Sequence, residues 1–322
     1  MTVLVIATGG TIASHFDGHD WREIDGATLV AEISPHETPV EVIDIASGPS
    51  ANLSLDDMCA IAKKVDDGLR QGYQGVVVTH GTDTIELTSF VVQLVLGRSA
   101  ESRPVVFTGA MRAHSHDSAD GPENLRDSLR LASSSRVDGR GVMVCLDGKV
   151  HWADRVRKID ASSLDAFTSR PFAPAGTVDE ALAGRLATAP WAPPATDFEQ
   201  DVVLVTCAPG MNALDSLDRA RSARGVVVDA YGDLNVPAVL WSGLHDIASD
   251  GRLVAITSRA YTPTIESEFL ALMGVVSAGG LDAQRARLAL MAALGSAADR
   301  SEVESFLRAY ALAPPDTRRS SA

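Results

Sequence analysis

Val3-Leu4-Val5-Ile6-Ala7-Thr8-Gly9-Gly10-Thr11-Ile12-Ala13 is the stretch from which the fold can be read. Five apolar residues, rich in Val and Ile, run without polar alternation into a pair of glycines. That is the composition of a strand buried on both faces of a parallel sheet. Comparable runs recur at Val40–Ile45, Gly75–Thr79, Val105–Thr108 and Val142–Leu146. Helical patterns lie between them. Ser54 to Gln71 opens with Ser54 and Asp57 in capping-box spacing and then places Met58, Ile61, Ala62, Val65 and Leu69 on one face. Thr84–Leu96 and Glu123–Ala132 are further helices. Strand–helix alternation of this kind predicts an α/β fold with a doubly wound sheet.

The alternation breaks at residues 186–200, where three prolines and no periodicity read as a linker. It resumes at Val202–Thr206, with a helix near Leu214–Ala223, runs at Val226–Asp229 and Val254–Thr257, and helices near Ile265–Met273 and Asp282–Leu294. The expected organisation is a larger N-terminal α/β domain over 1–188, a linker over 189–201 and a smaller C-terminal α/β domain over 202–322. The tail from Pro314 is expected to be loose.

Composition narrows the function. The 322 residues carry a net charge of −14, with 45% hydrophobic and 22% charged residues. A folded acidic chain repels a phosphate backbone, and its longest basic cluster, Arg155-Val156-Arg157-Lys158, is too short for a nucleic-acid face. No apolar run reaches membrane-spanning length, and no basic region precedes the first apolar run, so no signal peptide and no membrane partner are expected. The expected location is cytoplasmic. Cys59, Cys145 and Cys207 are scattered, which argues against a disulfide framework or a zinc site and for core packing. Only four lysines occur, Lys63, Lys64, Lys149 and Lys158, so a chemically required lysine has few candidates.

Ligands bind outside the carboxyl ends of strands in open parallel sheets. Three strands here end in hydroxyl- and glycine-bearing loops. The first gives Thr8-Gly9-Gly10-Thr11, where glycines let backbone approach a ligand closely; neither GxGxxG nor GxxxxGK[ST] is present, so a nucleotide loop fits poorly. The third gives His80-Gly81-Thr82-Asp83-Thr84, with Thr82 and Asp83 at a helix start; Asp83 as a plain cap is the competing reading. The fourth gives Thr108-Gly109-Ala110-Met111-Arg112, followed by Ser118-Ala119-Asp120-Gly121-Pro122-Glu123-Asn124-Leu125, in which Asp120 and Pro122 read as a helix start. His114 and His116 lie between them and read as solvated loop histidines, with no acidic third ligand for a catalytic zinc. The fifth strand leads to Lys158, which reads either as a surface lysine or as a proton acceptor if desolvation and cationic neighbours depress its pKa. A Thr–Lys–Asp set activates a hydroxyl without histidine, whereas the GxSxG elbow of a Ser/His/Asp hydrolase is absent.

TGGTIA at 8–13, HGTDT at 80–84, TGAMR at 108–112 and SADGPxNL at 118–125 occur in this order, with the lysine segment near 158. Together they resemble the bacterial-type L-asparaginase family over roughly the whole chain. The resemblance implies a flavodoxin-like N-terminal domain, an amidohydrolase activity with asparagine as leading substrate, and no metal or cofactor. It implies a homodimer or homotetramer with sites between subunits and a small-molecule amide as partner. It assigns Thr11 as nucleophile, and Thr82, Asp83 and Lys158 as the proton relay. Thr11 and Thr82 would also offer backbone N–H groups to the oxyanion. Ser50, with Ala51 and Gly81, would line the substrate, Ser50 holding its α-carboxylate and Asp83 its α-ammonium. The carbonyl of Ala110 would orient the leaving amide. Asn235 and Glu266 match residues that a neighbouring subunit supplies. A tRNA-linked amidotransferase component of similar sequence fits less well: Thr11 stands too near Met1 for its extra N-terminal domain, and a basic surface is lacking.

Two departures bear on substrate. The loop Ser14–Ile24 carries Phe16 and Trp21 where the family has a tyrosine that orients the nucleophile, and Ala51 replaces a polar residue. Another amide or lactam as substrate, or a catalytically weak amino-acid-binding protein, are the alternative expectations.

Overall fold

The computed structural model describes residues 2–33, 38–97, 99, 103–186, 194–260, 268–297 and 299–310. Glu266, most of the linker's first half and the tail from Pro314 lie outside them. The chain divides into two units, Met1–Ala189 and Pro190–Ala322.

In the first unit, β1 (Val3–Ala7), β4 (Val40–Asp44), β5 (Gly75–Thr79), β6 (Val105–Thr108) and β7 (Val142–Leu146) pair in parallel. Every residue of β1, β5, β6 and β7 is buried, which is why these segments lack alternation. The spatial order is β7-β6-β5-β1-β4, so the five parallel strands follow the flavodoxin-like arrangement. The order reverses at β1 and β5, and the crevice there is where such sheets bind ligands.

Two further strands, β8 (Lys149–Trp152) and β11 (Gly176–Thr177), extend the β7 edge antiparallel, which the sequence reading did not anticipate. The signal was Asp147-Gly148. Both residues have positive φ, 50° and 68°, as a two-residue hairpin turn requires. Two small ribbons also escaped the reading: β2 (Ser14–Phe16) with β3 (Trp21–Glu23), and β9 (Arg157–Lys158) with β10 (Phe167–Thr168).

Helices α1 (Gly26–Glu32), α2 (Leu55–Gln71), α3 (Ile85–Leu96), α4 (Gly121–Ala132) and α5 (Val178–Leu182) complete the unit. The Ser54–Asp57 capping box opens α2 as expected, and Gly72 closes it in the left-handed conformation. Cys145 is buried, but Cys59 on α2 is only half-buried, so core packing does not explain it.

The second unit holds a four-stranded parallel sheet, β12 (Val202–Thr206), β13 (Gly225–Ala230), β14 (Leu253–Ser258) and β15 (Val275–Ser277), in sequential order. Helices α6 (Ala213–Ser222) and α7 (Ala238–Ser249) place Leu217, Leu240, Leu244 and Ile247 against Val226, Val228, Val254 and Ile256. α8 (Glu268–Leu272) is the described part of the helix expected near Ile265–Met273. Asp282 caps α9 (Ala283–Ser296), and α10 (Arg300–Tyr310) follows.

Candidate active site

The carboxyl ends of β1 and β5 lie side by side, with Ala7 paired to Thr79. Thr8 N–H and its hydroxyl both donate to the Thr79 carbonyl, at 3.1 and 2.8 Å. Past this point the two loops touch backbone to backbone. A methyl group on Gly10 would sit 2.4 Å from Gly81 Cα, and Gly10 has φ 88°. Only glycine fits there on both counts. Thr11 and Thr82 are each next in sequence to one of these glycines, on neighbouring loops. Thr11 opens a short 3-10 turn and is half-buried; Thr82 is buried.

Gly81 in turn faces the loop after β4. A methyl group there would meet Ser50 Oγ at 2.6 Å. Ser50 is 3% exposed, and its hydroxyl has no hydrogen-bond partner among the described residues. A buried polar atom left unpaired costs about 1–3 kcal/mol, so its retention calls for a function. Thr84 Oγ1 donates to the Ser50 carbonyl at 2.9 Å and fixes this loop against the start of α3. Ala51 follows Ser50 and is exposed.

Lys158 reaches this cluster from β9. Its ammonium donates to Thr82 Oγ1 at 2.9 Å and to Asp83 Oδ1 at 2.7 Å. Asp83 is therefore not a helix cap; the N-cap of α3 is Thr84, and the Asp83 carboxylate is engaged by the lysine instead. Lys158 is held at its backbone as well. Its N–H donates to Glu86 Oε2 at 2.5 Å, and the β9–β10 ribbon pairs it with Phe167. Glu86 lies one helical turn beyond Asp83 and was not among the expected site residues.

The loop after β6 closes the far side. Ala110 is fully buried. Asp120 does not cap α4 through its side chain, as its position before the helix suggested. Its two carboxylate oxygens accept from Met111 N–H and Arg112 N–H, both at 2.9 Å, and Asn124 Nδ2 bonds the Gly109 carbonyl at 3.0 Å. The TGAMR and SADGPENL segments are thus one clamp that shapes the backbone on either side of Ala110.

His80, the histidine nearest these groups, is fully buried. Its Nδ1 donates to the Gly81 carbonyl at 2.8 Å, and burial pushes its pKa down to about 4 despite that bond. It is neutral at pH 7 and serves as a backbone tie. No metal-binding group of three or more His, Cys, Asp or Glu occurs among the described residues.

His114 departs from the solvated reading. Its ring contacts His15 Nδ1 at 3.2 Å and Glu32 Oε2 at 2.5 Å, with the side chain 13% exposed. Asn235 lies in the second unit, where its amide donates to the Gly232 carbonyl at 3.0 Å within its own turn.

The "Asparaginase, N-terminal" family model matches residues 2–188, and the "Glutaminase/Asparaginase C-terminal domain" model matches residues 201–307. The chain belongs to the asparaginase family. It is an asparaginase-type amidohydrolase. A probable L-asparaginase of Deinococcus radiodurans is 31% identical over 319 residues, covering 93% of this chain and 94% of that one. A glutamyl-tRNA(Gln) amidotransferase component from Halobacterium salinarum is 29% identical, covering 92% of this chain but 76% of that protein. The crystal structure of a probable cytoplasmic L-asparaginase from Campylobacter jejuni superimposes with a TM-score of 0.82 at 26% identity, covering 95% and 98% of the two chains. No helix among the described residues is long and apolar enough to cross a membrane.

Proposed function

We propose that this asparaginase-family chain hydrolyses the side-chain amide of asparagine, giving aspartate and ammonia, through an acyl-enzyme on Thr11. The observation that carries the reading is the Lys158 contact to both Thr82 and Asp83, beside the Gly10–Gly81 approach between the loops that carry Thr11 and Thr82. A threonine hydroxyl attacks only as its proton leaves. The proton passes through the Thr82 hydroxyl to the Lys158–Asp83 pair, which returns it to the leaving nitrogen. The Thr11 oxygen bonds the amide carbon, and backbone N–H groups of Thr11 and Thr82 steady the oxyanion. Ammonia leaves with the relayed proton, and water then cleaves the ester and restores Thr11.

Substrate recognition falls to Ser50, whose unpaired buried hydroxyl suits an α-carboxylate, to Asp83 for the α-ammonium, and to Ala51 and Gly81 as walls. The Ala110 carbonyl orients the leaving nitrogen. Asn235 and Glu266 are proposed as residues supplied across a homodimer or homotetramer interface. One observation favours a second substrate on the same chemistry: the hairpin carries exposed Phe16 and Trp21 instead of a phenol, which suits an amide larger than asparagine.

Ammonia release from asparagine, glutamine and a panel of larger amides decides between them. Turnover of asparagine with the highest kcat/KM is the expected result. Absence of turnover on every amide overturns the enzyme reading, and full activity in Thr11→Ala overturns the nucleophile.

A further inference from the structure

The β2–β3 hairpin grows directly out of the 3-10 turn that carries Thr11. Ser14 Oγ donates to the Gly10 carbonyl at 3.1 Å, and Ile24 N–H to the Ala13 carbonyl at 2.9 Å. The first strand of the hairpin is stitched to the loop after β6 at consecutive residues. His114 N–H donates to the Ser14 carbonyl at 2.9 Å, and Phe16 N–H to Ser115 Oγ at 2.9 Å. Between these two bonds the side chain of His15 meets that of His114, Nδ1 to Nδ1 at 3.2 Å, with ring centroids 5.4 Å apart. The contact is end-on, not stacked. His114 Nε2 lies against Glu32 Oε2 at the end of α1.

This order fixes the tautomers. An ionised carboxylate only accepts, so His114 donates from Nε2, and its Nδ1 in the neutral ring is an acceptor. His15 must then donate from Nδ1. The three groups form a chain: Glu32 carboxylate, His114, His15. One added proton leaves it intact, because a cationic His15 still donates from Nδ1. A second proton places N–H groups on both facing nitrogens and two cations 3.2 Å apart, and the contact fails.

We propose that Glu32, His114 and His15 form a positioning chain for the Gly10–Thr11 turn, one that locks the root of the hairpin and opens when both imidazoles are cationic. This rests on the Thr11 nucleophile proposed above. Other charged groups face His15 from the hairpin itself: Arg22 pairs with it across the ladder, and Asp17 lies in the turn and interacts with it electrostatically. His116, two residues beyond His114, is occupied by Ser118.

The test is the pH dependence of kcat and KM for wild type, His15→Ala and His15→Gln, on the amide that wild type hydrolyses best. His15→Ala is expected to lower kcat about tenfold with KM little changed, because misplacement and not binding is lost. His15→Gln keeps an N–H donor for His114 but does not titrate. It is expected to recover most of that kcat and to lose the acid limb of the wild-type profile. Thermal unfolding at each pH separates this limb from a loss of stability. Wild-type kcat in His15→Ala, or an unchanged acid limb in His15→Gln, overturns the proposal. If wild type hydrolyses no amide, the proposed function fails on its own. The chain is then read from amide-exchange protection at Phe16 and His114, which must fall as both imidazoles titrate in wild type but not in His15→Gln.

Discussion

The loops after β1, β4, β5 and β6 meet backbone to backbone, whereas the β2–β3 hairpin is a three-residue ladder whose tip lies in solvent. In the first region Gly10 abuts Gly81, Gly81 abuts Ser50, and a methyl on Gly109 would sit 2.4 Å from the His80 carbonyl. No position there shifts without moving another. In the second, Phe16 and Trp21 are 43% and 66% exposed and pack against each other at a centroid separation of 5.3 Å. The difference separates two tasks. Chemistry that needs sub-ångström placement sits where neighbouring backbone dictates position. Substrate preference sits where side chains can change without disturbing it.

The largest effect expected from breaking the rigid side is chemical. Thr11→Ala should lower kcat at least about a thousandfold while leaving the melting temperature within a few degrees, since a half-exposed hydroxyl is removed and no core is touched. Steady-state ammonia release beside a thermal melt checks both halves. Gly10→Ala should act through position instead. Its methyl group meets the Gly81 backbone, which has no rotamer to yield, at a φ of 88°. Overpacking costs about 1–3 kcal/mol, and displacement of Thr11 should cost about a hundredfold in kcat. Denaturant unfolding that matches wild type would break the claim that this contact is rigid.

Acid sharpens the same comparison. His80 and His151 are buried, and burial pushes both down to about 4. An unfolded histidine takes up its proton near pH 6.5. Between pH 6.5 and about 4 the unfolded chain therefore binds more protons, and stability falls as pH falls, by about 3 kcal/mol for a fully buried ring. Above pH 6.5 neither contributes a slope. Replacing His80 with Gln should flatten the fall in urea midpoint between pH 7 and pH 4.5, whatever its effect at pH 7. Asp120→Ala comes next. It strips acceptors from two backbone N–H groups of the Ala110 loop and should cost about 1–3 kcal/mol, with kcat falling more than KM rises. A rise in KM with kcat unchanged would place Asp120 in binding instead.

The parallel sheet was legible because buried strands leave uninterrupted Val and Ile runs, and the motifs at their carboxyl ends pointed to the loops of Thr11, Thr82 and Asp83, whose roles came from the resemblance. Lys158 stood between a surface lysine and a proton acceptor until the resemblance gave it a role, since nothing around a lysine on a two-residue strand tells how far its side chain reaches. Glu86, Asp120 and Asn124 were hidden for another reason. Each sits at a helix start where a capping role is the ordinary expectation, and their true partners lie on other segments. The pairing of His15 with His114 is likewise a contact over 99 residues with no local pattern to betray it. The β7–β8 hairpin is different: Asp147-Gly148 is a two-residue turn signal and was available to be read.

The smallest effect belongs to the hairpin's tip, and it tests the division most directly. Phe16→Ala and Trp21→Ala each remove one half of a ring pair worth about 0.5–1.5 kcal/mol, in a region with little else to lose. Melting should shift by no more than a few degrees. If the pair only shields the ladder, kcat/KM for every amide falls together. If it selects substrate, the ratio between asparagine and a larger amide changes while their shared chemistry does not, because Thr11, Thr82 and Lys158 hold their contacts without it. Phe16→Tyr carries the argument one step further. It adds a phenol to a strand already anchored by Ser14 and Ser115, and it should favour asparagine over the larger amide. A ratio left unchanged by all three variants would mean that specificity, too, is written in the rigid loops.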